Sequence, residues 1–207
     1  MGSRNTHRKV RVGHNATGQT PLLGQRVDVE DLKREVRGAA RGDQDAAAAL
    51  FDHLYPRLYR YAFARLSSRQ DAEDVASETF AKVLRGLDRF KWRGNGFEAW
   101  VFRIAKNLIV DRYRVGDREV IGDELVDSVL PVQTDGPETG ALANEQRDEL
   151  TSMIDRLPEE QREIVLLRFA GELDTHEVAA TTHRNANAVR QLQFRALTNL
   201  RKWMTDE

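Results

Sequence analysis

Cysteine is absent from this chain of 207 residues, which excludes disulfide bonds, thiolate zinc sites and cysteine redox sensing. Apolar runs are also short, and none approaches the roughly 20 residues that a membrane-spanning helix needs. Residues 1–26 are polar and basic and lack the apolar core of a signal peptide. These absences predict a cytoplasmic protein without a membrane span.

Residue groups that carry out catalysis or hold metals are missing as well. The sequence has no glycine-rich phosphate loop. His53, His176 and His183 do not have the spacing of metal ligands. Asp71 and Asp74 are close in sequence, but no histidine accompanies them as a catalytic partner. We therefore predict that the protein is not an enzyme and that it has no catalytic residue, no metal site and no cofactor.

The net charge of −1 hides segments of opposite sign. Residues 184–203 contain five cationic side chains and no acidic one, whereas residues 115–150 contain ten acidic side chains and two arginines. Such a basic segment is suited to binding nucleic acid even when the net charge of the whole chain is close to zero.

Apolar residues recur at helical spacing along most of the chain, and no stretch shows the alternation of a strand. The pattern predicts an all-α protein in which Asp43 caps the second helix and Pro56 kinks or interrupts it. Helices are predicted over about 27–40, 43–66, 71–86, 97–114, 141–157, 158–170, 175–181 and 187–204. In the helix over 158–170, Glu163 and Arg168 are predicted to face outward, and the apolar side is predicted to consist of Ile164, Val165, Leu167 and Phe169.

Proline and glycine break the helical pattern in the acidic middle of the chain, at Pro131, Gly136 and Pro137. This break predicts two small helical domains joined by a flexible acidic linker. We divide the chain into a disordered basic arm (1–26), an N-terminal helical bundle (27–114), the linker (115–140) and a C-terminal helix-turn-helix domain (141–205).

The third predicted helix has one apolar and one acidic face. Its outward acidic residues are Asp71, Asp74 and Glu78. They indicate either a protein-binding surface or a solvated face that complements the helix dipole. Its inward stripe consists of Ala72, Val75, Ala76, Thr79, Phe80, Val83 and Leu84.

The segment 90–114 mixes aromatic and cationic side chains. This mixture is typical of proteins that bind single-stranded nucleic acid, in which aromatic rings stack on unpaired bases and cations bind phosphates. Phe97, Trp100 and Phe102 can equally belong to the core, and for Trp100 we favour the core because it shares a face with Ile104 and Leu108. Trp92 lies between two cations in a glycine-rich loop, so a purely structural role is less expected there.

The C-terminal segment has the pattern of a helix-turn-helix. Asp174 and Glu177 fit a capping box, and residues 182–184 fit a turn. In the last helix Val189, Leu192, Ala196, Leu197 and Leu200 are predicted to face inward. The outward set could read base edges and bind phosphates, or could be the solvated face of a generic helical hairpin: Asn187, Arg190, Gln191, Phe194 and Arg195.

Taken in order, these segments closely resemble the bacterial RNA polymerase sigma factors of the extracytoplasmic-function (ECF) type. The resemblance spans about residues 27–203, and its most specific pieces are DAEDVASETFAKVL, FEAWVFRIAKNLIVDRYR and LPEEQREIVLLRF. The first resembles the region that docks on the clamp helices of the polymerase β′ subunit, the second the region that melts and reads the −10 promoter element, and the third the start of the domain that reads the −35 element.

The resemblance implies roles for individual residues. It makes Asp71, Asp74 and Glu78 candidate contacts to core polymerase. The candidate −10 contacts are Trp92, Arg93, Asn95, Asn107, Asp111 and Arg112, and the candidate −35 contacts are Arg190, Gln191, Phe194 and Arg195. Thr181, Thr182, His183 and Arg184 depart from the family pattern, which predicts a less tightly packed helix-turn-helix with His183 in a left-handed turn.

The resemblance thus implies an alternative sigma factor whose partners are core RNA polymerase (the β′ clamp helices and the β subunit), promoter DNA in duplex and single-stranded form, and an anti-sigma factor. A stand-alone helix-turn-helix regulator is the alternative, and it would need no acidic docking helix. A helical hydrolase that uses Asp71 and Asp74 is a more distant third.

Overall fold

The computed structural model describes residues 28–92, 96–116 and 149–205. Every regular element in these ranges is an α-helix, which confirms the predicted all-α class of two helical domains. The basic arm, most of the predicted linker, and Arg93 and Asn95 lie outside the described residues.

The described helices form two units. The N-terminal unit contains α1 (Val29–Ala40), α2 (Gln44–Leu66), α3 (Arg69–Gly86) and α4 (Gly96–Gly116). The C-terminal unit contains α5 (149–155), α6 (Glu159–Phe169), α7 (Thr175–Thr182) and α8 (Ala186–Thr205).

Capping side chains set where the first three helices begin. The carboxylates of Asp28 and Asp43 accept hydrogen bonds from backbone N–H groups of α1 and α2, and Asp43 thereby has its predicted role. The hydroxyl of Ser68 accepts from the backbone N–H of Asp71 at 3.3 Å. Because Ser68 is the cap, α3 begins at Arg69, two residues earlier than predicted.

Helix α2 runs without interruption through Pro56 over 23 residues. Of the two effects predicted for this proline, an interruption does not occur. Leu54 and Leu58, on either side of Pro56, are fully buried. Their packing fixes both halves of the helix, and this offsets the hydrogen bond that a proline cannot donate.

The interior of the N-terminal unit is formed by facing stripes of α2, α3 and α4. Leu50, Leu54, Leu58 and Tyr61 of α2 are fully buried. Five of the seven residues predicted to lie inward on α3 are buried: Ala72, Val75, Ala76, Thr79 and Val83. Phe80 is half-buried and Leu84 is exposed, so the buried stripe of α3 is narrower than predicted.

The two units share one continuous hydrophobic cluster, in which α7 packs on α4 and α6 packs on α2. This contact explains why Glu163, predicted to face outward, is 6% exposed. Phe169 and Leu197, both predicted on apolar faces, are instead exposed. These three predictions were wrong because periodicity within one helix does not specify which neighbour covers each face.

Within the described residues, no helix combines the length and the apolar character needed to cross a membrane.

The helix-turn-helix has the predicted local geometry. Asp174 and Glu177 form a complete capping box at the start of α7. His183 ends α7 in the left-handed region with φ of 56°, as predicted. The hydroxyl of Thr181 donates to the carbonyl of Glu177 at 2.8 Å, and the residue is 1% exposed. Thr181 is therefore packed tightly, contrary to the expectation of loose packing, because its polar atom has an internal partner.

Candidate nucleic-acid interface

The acidic face of α3 lies on the surface of the N-terminal unit. The side chains of Asp74 and Glu78 are 56% and 46% exposed. Glu78 pairs with Lys82 one turn later, with 2.9 Å between Oε1 and Nζ. An exposed pair of this kind adds little stability, so both carboxylates remain available to a partner.

Arg112, near the C-terminal end of α4, connects that helix to this acidic face. Its Nη1 atom donates to Oδ1 of Asp71 at 2.5 Å, and its Nη2 atom donates to Oδ2 of Asp74 at 3.4 Å. The sequence placed these residues in two different sets, one for polymerase and one for the −10 element. The structure brings the two sets together at one point of the surface.

Trp92 belongs to an aromatic cluster at the start of α4. Its ring stacks on Phe97 with 6.0 Å between centroids and meets Phe90 edge to face at 5.9 Å. Lys33 of α1 lies over the Trp92 ring with its Nζ atom 5.6 Å from the centroid. Trp92 thus has structural contacts that the sequence did not indicate, yet its half-buried ring leaves part of its surface open.

Trp100 joins this cluster by stacking on Phe90, with 5.0 Å between centroids. Gly86, the last residue of α3, lies beside it, and a Cβ atom there would be 3.0 Å from Trp100 Cζ2. Glycine at this position therefore lets the indole approach the end of α3. The contacts agree with the core role favoured for Trp100, although the residue is half-buried.

The other candidate −10 residues of α4 lie on its outer side. Asn107 and Asp111 are exposed, one helical turn apart, and Arg112 is half-buried by its ion pairs. Side chains four residues apart on a helix share a face, so Asn107 and Asp111 form a polar edge.

The candidate −35 residues form one exposed face of α8. Arg190, Gln191, Phe194 and Arg195 are all exposed, whereas Val189, Ala196 and Leu200 are buried on the opposite side. Arg190 also donates to the Asn187 side-chain oxygen at 2.8 Å. These donors can reach base edges and phosphates in a major groove.

Phe194 is the most exposed large apolar side chain among the described residues, at 73%. Its ring lies on the same exposed face of α8 as Arg190 and Arg195. Because contact of a large apolar ring with water is unfavourable in the unbound protein, and because aromatic residues are enriched at binding surfaces, Phe194 indicates a contact surface.

A buried ionic cluster between α2 and α4 was not predicted. Arg57 Nη1 donates to Glu98 Oε1 at 2.5 Å, and the imidazole of His53 lies 2.8 Å from the same oxygen. Burial alone would raise the pKa of Glu98, but hydrogen bonds from His53 and Arg57, together with the Arg57 charge, hold it well below its ordinary value. The sequence feature that could have predicted this cluster is Arg57 itself, because a cation in the buried stripe of α2 needs a partner of opposite charge.

A second unpredicted cluster surrounds Glu163 of α6. The hydroxyl of Tyr61 donates to Glu163 Oε1 at 2.9 Å, and Lys106 Nζ lies 3.4 Å from that atom. Burial and the adjacent Glu163 carboxylate raise the pKa of Tyr61 well above its ordinary value. No group of three or more histidine, aspartate or glutamate side chains suited to a metal ion occurs in the described ranges.

Two family models match the chain in succession. The Sigma-70 region 2 model matches residues 50–119, from α2 through α4, and the Sigma-70, region 4 model matches residues 147–200, from α5 into α8. The fold, the acidic helix followed by the aromatic–basic helix, and the helix-turn-helix define a sigma factor of the sigma-70 type.

Relatives assign the chain to a family within this class. It is 33% identical over 83% of its length to the ECF RNA polymerase sigma factor BldN of Streptomyces coelicolor, of which it spans 65%. It is 34% identical over 80% of its length to ShbA of Streptomyces griseus and 28% identical over 84% to SigW of Bacillus subtilis, and it spans 91% and 97% of those proteins. The chain belongs to the ECF RNA polymerase sigma factors.

Solved structures agree with the fold. CnrH, in complex with the cytosolic domain of CnrY, matches with a TM-score of 0.64 at 22% identity, over 86% of this chain and 99% of that one. The sigma factor RpoE of Bartonella quintana, in complex with the anti-sigma factor NepR, matches with a TM-score of 0.58 at 23% identity, over 77% and 98%.

Proposed function

We propose that this protein is an alternative sigma factor that binds core RNA polymerase and directs promoter-specific initiation through −10 and −35 elements. One observation carries the proposal: a single chain joins the α3–α4 pair of region 2 to a region 4 helix-turn-helix with an exposed reading face. A stand-alone helix-turn-helix regulator has no use for the region 2 unit and is not favoured.

Core polymerase binds the acidic face of α3. Asp74 and Glu78 are exposed one turn apart, and Asp71 lies at the edge of the same face. In this proposal the β′ clamp helices contact these carboxylates, and the β subunit contacts the C-terminal unit. Charge complementarity at such a surface acts on the association rate and on specificity.

The −10 element is melted and read by the surface around Trp92. Extruding a base costs a few kcal/mol, whereas stacking on an aromatic ring returns about 1–3 kcal/mol per base. Trp92 offers the half-buried ring, and Asn107, Asp111 and Arg112 offer polar groups on α4. Arg93 and Asn95, which follow Trp92 in the sequence, complete the proposed set.

The −35 element is read in duplex form by α8, through Arg190, Gln191, Phe194 and Arg195. Arginine pairs with guanine in two-donor geometry, glutamine pairs with adenine, and an aromatic ring contacts thymine methyl groups. The sigma factor family is not an enzyme family, and we propose that this chain supplies no catalytic chemistry of its own. Its place of action is the cytoplasm, where promoter DNA and polymerase meet.

An anti-sigma factor is proposed as the regulator. The sigma factor RpoE of Bartonella quintana, which shares the fold, is solved in complex with the anti-sigma factor NepR, and CnrH, which also shares it, is solved in complex with the cytosolic domain of CnrY. The same exposed surfaces of this chain are available to an inhibitor of that kind.

Run-off transcription tests the proposal. The purified chain is added to core polymerase of its source organism, with genomic promoter fragments as templates and core alone as the control. We expect discrete transcripts that require the chain. A chain that binds duplex promoter DNA tightly by itself, forms no complex with core and initiates nowhere would instead be a stand-alone regulator.

A further inference from the structure

Asn187 and Arg190 form a hydrogen-bonded pair in the first two turns of α8. The Nη1 atom of Arg190 donates to the side-chain oxygen of Asn187 at 2.8 Å. The two exposed side chains are three positions apart, so they lie on the same face of the helix. In a helix-turn-helix, residues near the N-terminus of the second helix contact base edges. The pair therefore lies at the end of α8 that would enter a major groove.

The chemistry of arginine determines which atom of the Asn187 amide faces Arg190. A guanidinium has five N–H donors and no acceptor, so its partner is the amide oxygen Oδ1 and not the nitrogen Nδ2. An asparagine that reads adenine needs both of these atoms on the base, Oδ1 for N6 and Nδ2 for N7. Because its Oδ1 atom faces Arg190, Asn187 does not present that combination to DNA.

Arg190 keeps its full charge in this contact. Asn187 is neutral, and residues 184–203 contain no acidic side chain. Arg184, just before α8, differs because its Nη2 atom donates to the carboxylate of Glu160 in α6. A carboxylate beside Arg190 would offset its charge and repel phosphates. An amide instead fixes the orientation of the guanidinium and leaves its charge available to DNA.

The start of α8 is fixed in conformation and open on its outer side. The Oδ1 atom of Asn185 caps the helix by accepting a hydrogen bond from the backbone N–H of Ala188 at 2.8 Å. An open hollow of about 430 Å³ adjoins this turn, and it is lined by Asn185, Ala186, Asn187, Ala188 and Gln191. The cap holds the backbone that carries Asn187, and the hollow gives DNA access to it.

We infer that Asn187 is a specificity-determining residue of α8, which positions the guanidinium of Arg190 so that it selects guanine over adenine. In the major groove guanine presents two acceptors, N7 and O6, whereas adenine presents one acceptor and one donor. A guanidinium held in one orientation places two N–H groups on the guanine acceptors. On adenine one of these N–H groups meets the amino group, which is also a donor. This role rests on the proposed function of α8 as the −35 reader.

Positioning matters because an arginine side chain has many rotamers. Ordering such a side chain at the moment of binding reduces affinity by about twofold to tenfold. An arginine without a fixed orientation can also turn to phosphates, which are present in every sequence. Loss of Asn187 should therefore reduce the discrimination between bases more than it reduces binding to DNA in general.

Base-preference measurements test the role of Asn187. Holoenzyme made from core polymerase and the full-length chain is titrated with labelled promoter duplexes in which each −35 base pair is varied in turn. Wild type should favour guanine over adenine by about tenfold at one base pair. Asn187→Ala should reduce this ratio by about fivefold and leave the preferences at the other base pairs within about twofold. An unchanged ratio in Asn187→Ala would overturn the inference.

Asn187→Asp separates positioning from direct base contact. It keeps an oxygen for Arg190 but lacks the Nδ2 donor, so the guanine preference should stay within about twofold of wild type. Overall affinity should fall, because a negative charge is added near the phosphates. If Asn187 instead contacted the base through Nδ2, Asn187→Asp would lose the preference as Asn187→Ala does, and the positioning role would be wrong.

A double-mutant cycle tests whether Asn187 acts through Arg190. In the Arg190→Ala background, the further change Asn187→Ala should alter the affinity for the guanine duplex by no more than about twofold. Additive losses from the two changes would contradict the positioning role.

Thr198→Ala is the matched control. Thr198 is exposed on the same face, about 16 Å farther along α8, and its hydroxyl donates to the carbonyl of Phe194 at 2.8 Å. Thr198→Ala should leave every base preference unchanged, and circular dichroism should show the same helix content for all variants. A wild-type holoenzyme without any −35 preference would refute the proposed function. A wild-type preference that survives Asn187→Ala would refute only the role of Asn187.

Discussion

Arg112 Nη1 lies 2.5 Å from Asp71 Oδ1, so the end of the proposed −10 helix is tied to the start of the proposed polymerase-binding helix. Asp74 accepts a second, longer hydrogen bond from the same guanidinium. The surfaces that we propose for polymerase docking and strand capture therefore meet at this ion pair, and a change in any of these three side chains should affect both proposed contacts.

Asp74→Arg should weaken the complex with core polymerase at least tenfold while leaving the helix content unchanged. The substitution reverses a charge in the centre of the acidic face and repels Arg112, but Asp74 is exposed and contributes little to folding. Asp31→Arg, at an exposed position of α1, is the control. Binding is measured by fluorescence anisotropy of labelled chain titrated with core. Loss of helicity in Asp74→Arg would indicate a structural role instead.

Trp92→Ala should reduce promoter melting by about tenfold, corresponding to the loss of one stacked base. It should also lower the free energy of unfolding by about 1 kcal/mol, because the ring packs on Phe97. Melting is followed by the fluorescence of a base analogue in the −10 element.

Trp100→Ala is the control from the same aromatic cluster. Trp100→Ala should lower the free energy of unfolding at least as much as Trp92→Ala does. It should reduce promoter melting less than Trp92→Ala does. Equal losses of melting and stability in both variants would show that Trp92 only packs.

Arg190→Ala and Phe194→Ala should weaken −35 duplex binding in different ways. Arg190→Ala removes a cation that can bind phosphate, so the negative slope of log K against log salt concentration should become shallower by about 0.9. Phe194→Ala removes an uncharged aromatic ring, so affinity should fall while the slope stays the same. Arg201→Ala, at an exposed position near the C-terminal end of α8, is the control for total charge. Anisotropy titrations of the holoenzyme at several salt concentrations separate these effects. An unchanged affinity for Phe194→Ala would remove it from the interface.

Glu98→Gln should lower the free energy of unfolding by about 3 kcal/mol near neutral pH, because it removes the nearer of the two carboxylates that pair with buried Arg57 and leaves only Glu172, at 3.9 Å. The folded-state pKa of Glu98 lies below its ordinary value of 4.5, so its contribution is present above that pH and is lost as pH falls through the folded pKa. The difference between wild type and variant should therefore shrink in acid.

Urea unfolding between pH 3 and 7 measures this difference. Glu30→Gln, in an exposed pair on α1, should change stability by no more than about 0.5 kcal/mol at any pH. A Glu98→Gln effect that is the same at pH 3 and pH 7 would contradict the assignment of a charged, paired Glu98.

Much of the helical framework was predictable because its signals are local. The cap at Asp43, the capping box of Asp174 with Glu177 and the left-handed His183 all follow from side chains within a few residues of the helix end. The outward face of α8 was predictable for a similar reason, since helical periodicity separates Arg190 and Phe194 from Val189.

Errors occurred where a helix has more than one neighbour. Glu163 was expected in solvent, but α6 lies between its own unit and α2, where Tyr61 donates to the carboxylate. Phe169 was expected inward, yet it is exposed among the described helices. A hydrophobic pattern records how much of a helix is buried, but it does not identify the element that covers each side.

The sequence by itself determined that the chain is helical, the order of its acidic, aromatic–basic and helix-turn-helix segments, and through them the sigma factor family, because spacing, capping and motif order are properties of neighbouring residues. Tertiary structure alone decided that Arg112 pairs with Asp71, that Arg57 and Glu98 form a buried pair, and that α2 and α4 hold α6 and α7 through a row of cations. Those contacts join residues that are distant in sequence, and their partners are set by how whole helices pack against one another.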